Sequence, residues 1–466
     1  MSTKRGSIIE NVAINAYANE GRSIARINNK VVFVEGTVPG DIADIKLTKV
    51  KKDWMEARVV KLVEPSSERI KSFCKHFGTC GGCKWQFLDY PSQLKYKQQS
   101  VLDSLQRIGK VEAIEILPII GSENQKHYRN KLDYSAADRA WVSWDEMKTE
   151  GREIKPALGF HVAGNYTTVL DLDECFLQPE PSNKIRLKVK ELALKLGISF
   201  YDNFNKHGFL RTLIVRNNVR GEFMVIVVVG EEREEWLFPL LDEIKNNFPE
   251  VVSLHYIIST KVNDTIFDQE VINYSGDAFI TETMENLNFQ ISPKSFFQTN
   301  PTQALELYKV VRAFSALTGN ELVYDLYTGT GSIALFVAAQ SKMVIGIEQV
   351  EDSIRDARLN AQLNGITNVK FFTADMRHAL TPKFVSEHGK PDVIITDPPR
   401  AGMHPDVVRE LLNTEAKRIV YVSCNPASQA RDLNTLTQKY ALMKIKPVDM
   451  FPHTHHIENV AMLELK

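Results

Sequence analysis

Glu321-Leu322-Val323-Tyr324-Asp325-Leu326-Tyr327-Thr328-Gly329-Thr330-Gly331-Ser332 is the stretch that decides the fold. The apolar run at 321–326 reads as a buried strand, the glycine-rich segment as a tight turn, and residues 333–340 as a helix. A second apolar run at 343–347 follows and ends in Glu348, 17 residues after Gly331. This is a βαβ unit suited to a nucleoside. The glycines let the backbone approach a ligand, and the carboxylate can accept from both ribose hydroxyls. Taken alone, Gly329-x-Gly331-x-x-Ala334 also fits a dinucleotide fingerprint, so NAD is a rival ligand.

Outward from this unit, strands and helices alternate strictly. Asn300-Pro301 starts a helix over 302–317, an N-cap followed by proline at the first helical position. Further strand runs at 369–373, 393–396 and 419–422 predict a parallel, doubly wound α/β sheet. Ligands of such sheets bind beyond the carboxyl ends of the strands. Asp375 lies just past one end, placed to meet an adenine edge. Asp397-Pro398-Pro399-Arg400 and Ser423-Cys424-Asn425-Pro426 follow two others, so both loops are expected to face one crevice. One offers a carboxylate held by prolines, the other a thiol in a polar loop rather than in an apolar core. Hydride transfer has no evident use for a cysteine nucleophile beside Asp-Pro-Pro-Arg; methyl transfer does.

The chain has 466 residues, 43% hydrophobic and 25% charged, which suits about three globular domains. No apolar run approaches a membrane span of roughly 18 residues, and Met1–Gly6 opens no secretory signal, so a cytoplasmic protein without membrane association is expected. The formal net charge of −1 hides an asymmetry: residues 1–135 carry +7 and the remainder −8. That points to an anionic partner on the N-terminal part. Residues 7–62 alternate in short β-like segments (11–16, 24–27, 31–35, 44–47, 55–62), the pattern of a small OB-like barrel of five strands. Lys46, Lys49, Lys51 and Lys52 beside Trp54 would give it phosphate contacts and a stacking ring for RNA. Past Pro65-Ser66-Ser67, which reads as a linker, a helix is expected over 92–108. Residues 136–156 are polar and aperiodic, an expected loop or insertion. From 158 to 289 the chain reads as mixed α/β.

Five cysteines are present. Cys74, Cys80 and Cys83 crowd a glycine-rich turn, and Cys175 stands apart in Asp173-Glu174-Cys175. In a reducing compartment such clustering points to metal or chemistry. Four thiolates suit a [4Fe–4S] cluster or a structural zinc, and the spacing does not choose. Either choice leaves Cys424 free to react.

The chain resembles the bacterial uracil-5 RNA methyltransferases, specifically those acting on 23S ribosomal RNA. The residues that carry the resemblance are Phe296-Phe297-Gln298-Thr299-Asn300-Pro301, Asp325-Leu326-Tyr327-x-Gly329-x-Gly331, Asp397-Pro398-Pro399-Arg400-x-Gly402, Ser423-Cys424-Asn425-Pro426 and Phe451-Pro452-His453-Thr454-x-His456-x-Glu458. Thr328 stands where relatives often have cysteine, and Ser332 where some have asparagine. With the cysteine set and an N-terminal segment like a TRAM domain, the likeness covers nearly the whole chain. It implies a Rossmann-like methyltransferase domain at 293–466, a TRAM barrel binding RNA at 1–63, and a mixed α/β iron–sulfur domain at 64–292 of which residues 97–129 pack on the catalytic domain. It also implies S-adenosylmethionine as methyl donor, Gln298, Tyr327, Glu348 and Asp397 as positions contacting cofactor or substrate beside the strand-end Asp375, and a [4Fe–4S] cluster on Cys74, Cys80, Cys83 and Cys175. Cys424 is then the nucleophile and Glu458 the base. Relatives acting on transfer RNA generally lack the barrel and the cluster, so a monomer acting on 23S ribosomal RNA is expected.

The residue types suit the chemistry. Uracil C5 is a poor nucleophile, and thiolate addition at C6 makes it an enolate carbon able to attack a sulfonium methyl. A free thiol has a pKa of about 8.5, so some activation of Cys424 is expected. A base must then take the C5 proton before the cysteine can leave, and His453 is the next candidate after Glu458. The target nucleotide must also leave its stack.

Overall fold

The computed structural model describes residues 4–18, 21–149, 153–263 and 265–466. The catalytic part is an eight-stranded sheet in the order Val369–Thr373, Met343–Glu348, Leu322–Leu326, Val393–Thr396, Arg418–Ser423, Glu458–Leu465, Tyr440–Val448 and Glu115–Ile116. The first five strands are parallel. They read as continuous apolar runs because both faces are covered. Helices Pro301–Ser315, Ser332–Ala338 and Glu351–Leu363 pack Leu307, Val311, Leu335 and Ala357 on one face. Helices Tyr90–Ser104, Pro405–Thr414 and Pro426–Leu436 pack Val101, Leu411 and Leu433 on the other. Each buried leucine or valine among these contributes about 1.5–3 kcal/mol. Asn300 caps the Pro301–Ser315 helix by accepting from the Gln303 amide at 3.2 Å.

Strict alternation ends after the Pro426–Leu436 helix, contrary to the reading of the last third. Glu458–Leu465 runs antiparallel to both Arg418–Ser423 and Tyr440–Val448 and is inserted between them. The connecting residues contain Pro452 and no helical period, so the chain turns straight back. The segment before the middle sheet also joins this layer: Glu115–Ile116 pairs in parallel with Lys444 and Ile445. The helix expected over 92–108 is α-helical over Tyr90–Ser104, capped by Asp89, and closes in a π turn over Leu105–Gly109.

The N-terminal sheet has six strands rather than five: Ile8–Ala13, Ile42–Val50, Trp54–Glu64, Lys30–Glu35, Ser23–Ile27 and Ala16–Tyr17, in that order across the sheet. The run expected at 11–16 is two strands, the first bulged at Asn11, whose φ is +52°. Its small core holds Ile45, Leu47, Val32, Val34 and Met55. The middle sheet has seven strands, from Asn165–Asp171 at one edge to Ile272–Gly276 at the other, with helices Ser182–Lys195 and Glu234–Asn247 against it. The expected loop at 136–156 is shorter: Lys131–Ala137 enters it as strand and Trp144–Met147 is a helical turn, while residues 150–152 lie outside the described residues. Among the described residues no helix is long and apolar enough to cross a membrane.

Candidate active site

Two neighbouring strand ends put the thiol and a carboxylate together. Ser423 pairs with Asn459 in the last rung of the antiparallel ladder; Cys424 and Glu458 are the next residues of the two segments, and the Glu458 charge acts on the Cys424 thiol. Cys424 is half-exposed and Glu458 is buried. The parallel neighbour Val393–Thr396 delivers the Asp397-Pro398-Pro399-Arg400 loop beside them. The two loops are tied, because Asn425 Nδ2 and Ser428 Oγ both donate to the Arg400 carbonyl, at 2.9 and 3.1 Å. Asn425 also caps the following helix through the Ala427 amide. The Arg400 guanidinium meets His456 Nδ1 at 3.2 Å. Of the C-terminal histidines it is His456, not the expected reserve base His453, that reaches the Asp397–Arg400 loop. His453 is held by Gln93 and packs edge-on to Phe73.

One strand over, the glycine turn is strained and open. Tyr327, Gly329 and Gly331 have φ of +61°, +55° and +79°; for Tyr327, a bulky side chain, this is a true outlier. The two glycines have different reasons. A Cβ on Gly331 would sit 3.0 Å from Ala357 and Phe371, so its lack of one is a packing need. A Cβ on Gly329 would meet nothing within 4 Å, leaving space for a ligand to approach the backbone. Glu348 closes the turn, accepting from the amides of Gly329, Gln349 and Val350 at 3.3, 2.8 and 3.0 Å. Gln298 is half-buried, its carbonyl held by Asn130 Nδ2 at 3.0 Å. Asp375 caps the short Met376–Ala379 helix and pairs with Arg377, which holds its carboxyl well below the usual range. Without a ligand it is thus engaged at the surface by Arg377.

Residues 241–466 match the family described as tRNA (Uracil-5-)-methyltransferase, and residues 3–60 match the TRAM domain. An uncharacterized RNA methyltransferase of Bacteroides thetaiotaomicron is 50% identical over 453 residues, which are 96% of this chain and 100% of its own length. The chain belongs to the RNA uracil-5 methyltransferase family. An uncharacterized RNA methyltransferase of Chlorobaculum tepidum is 38% identical over 471 residues, 99% of this chain and 97% of its own. The structure of the Pyrococcus abyssi tRNA (uracil-54, C5)-methyltransferase in complex with S-adenosyl-L-homocysteine superposes with a TM-score of 0.75 at 29% identity, covering 98% of this chain and 100% of that one. A transfer-RNA enzyme therefore spans the N-terminal barrel too. Possession of the barrel does not separate ribosomal from transfer-RNA enzymes, and that argument for ribosomal RNA falls.

The electrostatics of this methyltransferase site run against the expected thiol activation. Burial, then Glu458 and Asp397, push the Cys424 thiol up to about 12, with Arg400 the one opposing charge. Burial holds the Glu458 and Asp397 carboxyls well above their ordinary range; at Glu458 the Asp397 charge adds to this and Arg400 opposes it. Burial pushes His456 down to about 4, so it is neutral beside Arg400. Arg400 is thus the cation of the site, a role that the Asp-Pro-Pro-Arg motif alone did not assign.

The other four cysteines line one cavity with Phe77, Phe160, Phe176 and Leu172. The Gly82 amide points at Cys80 Sγ at 3.4 Å, and Asn183 fixes the Cys175 backbone through both its N–H and its carbonyl. Among the described residues no three His, Cys, Asp or Glu side chains converge closely enough to hold a single metal ion.

Proposed function

We propose that this chain methylates C5 of a uridine in 23S ribosomal RNA with S-adenosylmethionine as donor. The observation that carries the chemistry is the place of Cys424 and Glu458, each one residue beyond the last rung between their segments and close enough for the carboxylate to act on the thiol. Cys424, having released its proton to solvent, bonds through sulfur to C6, and the C5=C6 pair moves to the O4 enolate. C5 then uses that pair to take the methyl group, whose old bonding pair stays with the donor's sulfur. Glu458 as carboxylate takes the C5 proton; the C–H pair rebuilds C5=C6, and the C6–S pair leaves with Cys424. A carboxyl with a raised pKa is the stronger base once ionised. Arg400 supplies the positive charge that favours both the thiolate and the Glu458 carboxylate. Asp397 orients the base or donor, Glu348 takes the ribose hydroxyls after exchanging its backbone amides, and Gln298, Tyr327 and Asp375 complete the contacts.

Cys74, Cys80, Cys83 and Cys175 would hold a [4Fe–4S] cluster. Four thiols around one largely apolar cavity support this. A structural zinc on the same four thiolates, with Zn–S of about 2.3 Å, is the alternative occupant. When bound, the cluster ties the cysteine turn to the middle sheet and has no electron to supply to the steps above. The cysteine set favours ribosomal RNA. The whole-length likeness to a transfer-RNA uracil-54 enzyme favours the second reading, methylation of transfer RNA. We take the chain to be a cytoplasmic monomer with domains at 1–63, 64–292 and 293–466. Mapping 5-methyluridine in both RNA classes from a deletion strain decides the substrate: a missing residue in 23S ribosomal RNA supports the first reading, and one missing only in transfer RNA replaces it. For the chemistry, Glu458→Gln should accumulate a denaturation-resistant protein–RNA band that needs S-adenosylmethionine and disappears when Cys424 is also replaced. Full turnover by Glu458→Gln would move the base to another residue, His456 first.

A further inference from the structure

The chain between Val448 and Glu458 is a short strap whose backbone is held almost entirely by remote parts of the protein. Five consecutive carbonyls each take a hydrogen bond from elsewhere. Gln303 Nε2 donates to Asp449 O at 2.9 Å and Asn300 Nδ2 to Met450 O at 3.0 Å. Lys97 Nζ donates to Phe451 O at 2.9 Å and the Tyr128 hydroxyl to Pro452 O at 3.0 Å. The amides of Lys84 and Trp85, next to Cys83, both donate to His453 O at 2.9 Å. The His453 amide in turn donates to Gln93 Oε1 at 2.8 Å, with His453 at φ +65°. At the centre lies an ion pair with no solvent exposure, Lys97 Nζ to Asp449 Oδ1 at 2.5 Å, whose second carboxylate oxygen accepts from the Tyr90 hydroxyl at 2.9 Å.

Surface connections normally satisfy their carbonyls with water or near neighbours. Here the donors come from four segments remote in sequence, and three of those segments lie between residues 84 and 128. Glu458 begins the strand that the strap delivers. Glu458 pairs with Val448 across the two ends of the strap and its neighbour Asn459 pairs with Ser423, while the strap itself carries His456 to Arg400, the cation that acts on Glu458. A base must be held to within about 0.5 Å of its working position, by neighbours that are themselves locked.

We propose that the strap is the positioning device for Glu458, with Tyr128 and Lys97 as positioning residues for removal of the C5 proton. The proposal rests on Glu458 being that base. It also gives the cysteine turn a mechanical connection to catalysis, because Lys84 and Trp85 hold the strap directly.

The test follows single turnovers of the full chain with labelled S-adenosylmethionine and an RNA substrate. It reads methyl transfer and the lifetime of the denaturation-resistant adduct separately, with Glu458→Gln as reference. Tyr128→Phe removes one hydroxyl and is expected to fold normally. Its methyl transfer should stay within about twofold of wild type while the adduct persists about tenfold longer. Lys97→Met should prolong the adduct further; if it fails to fold, Tyr128→Phe alone decides. Wild-type adduct release in Tyr128→Phe beside a stalled Glu458→Gln overturns the strap's role. So does equal slowing of methyl transfer and release, which a merely structural part would give. Normal turnover by Glu458→Gln overturns the base assignment, and this proposal with it.

Discussion

Cys424 and the four-cysteine cavity are built in opposite ways. Cys424 follows a strand buried in the middle of the catalytic sheet, and the capped Pro426–Leu436 helix begins two residues later. Its position is a consequence of the sheet. Cys74, Cys80 and Cys83 lie in turns whose ladder contact is one isolated bridge, Cys80 to Val162, with Cys175 in a loop before the Ser182–Lys195 helix. A site set by a sheet should survive loss of its side chain. A site made of turns depends on what it holds.

The largest expected effects separate the two. Cys424→Ala should reduce methylation below about 10⁻⁴ of wild type while leaving the melting temperature nearly unchanged. Cys83→Ser should instead lose metal and lower the melting temperature by about 5 °C or more, as loss of a bound group does. Anaerobically purified wild type should carry about four iron per chain. Stoichiometric zinc, or a Cys83→Ser protein as stable as wild type, would break the contrast.

The same division explains what could be read from the residues. The glycine turn, Glu348, and the Asp397 and Cys424 loops were legible because each follows an apolar run, and parallel strand ends share one edge by topology. Glu458 was not legible that way. Its strand returns antiparallel after an aperiodic strap, and it was named only through family resemblance. Lys97 and Asp449 are 352 residues apart in sequence, and no local pattern links them. A faint signal existed, for Gln93, Lys97 and Val101 recur at four-residue spacing on the buried stripe of one helix. Glu115–Ile116, a two-residue strand, joins the catalytic sheet beside the Tyr90–Ser104 helix, whose Gln98 accepts from the Ile119 amide. Its residues carry no strand period.

A second contrast is between the barrel's tip and its base, and its expected effect is intermediate. Tyr17 packs on Trp85 and Tyr96 at 4.7 and 4.9 Å, and Trp85 Nε1 donates to Gly21 O at 3.2 Å, so the base of the barrel is part of the roof over the strap. Deleting the barrel would bare that surface, and its effect would not isolate RNA binding. At the tip, Lys49 is already engaged, 5.0 Å over the Trp54 ring and 3.9 Å from Glu56, whereas Lys51 and Lys52 are exposed in the turn. Lys51→Ala with Lys52→Ala should lower the slope of log affinity against log salt by about 1.5. Affinity for an RNA fragment should fall several-fold with donor binding unchanged. An unaltered salt slope would make the tip an ordinary solvated surface.

The smallest effect tests the buried charges against each other. Asp397 and Glu458 have carboxyls raised by burial, and the Asp397 charge raises Glu458 further. An acid whose folded pKa lies above its unfolded value contributes undiminished stability below the unfolded value and loses it as pH rises through the folded one. The wild-type site should therefore become less stabilising between about pH 4 and pH 8. Asp397→Asn keeps the shape and removes one charge. It should melt about 2 °C above wild type at pH 8 and level with it near pH 4, whatever it does to activity. Glu458→Gln should behave alike. The two groups share one electrostatic penalty, so the double variant should gain less than the sum of the singles. Strict additivity would place the carboxyls too far apart to act on one reacting base, and a loss of stability at pH 8 in Asp397→Asn would mean that its charge is compensated by Arg400.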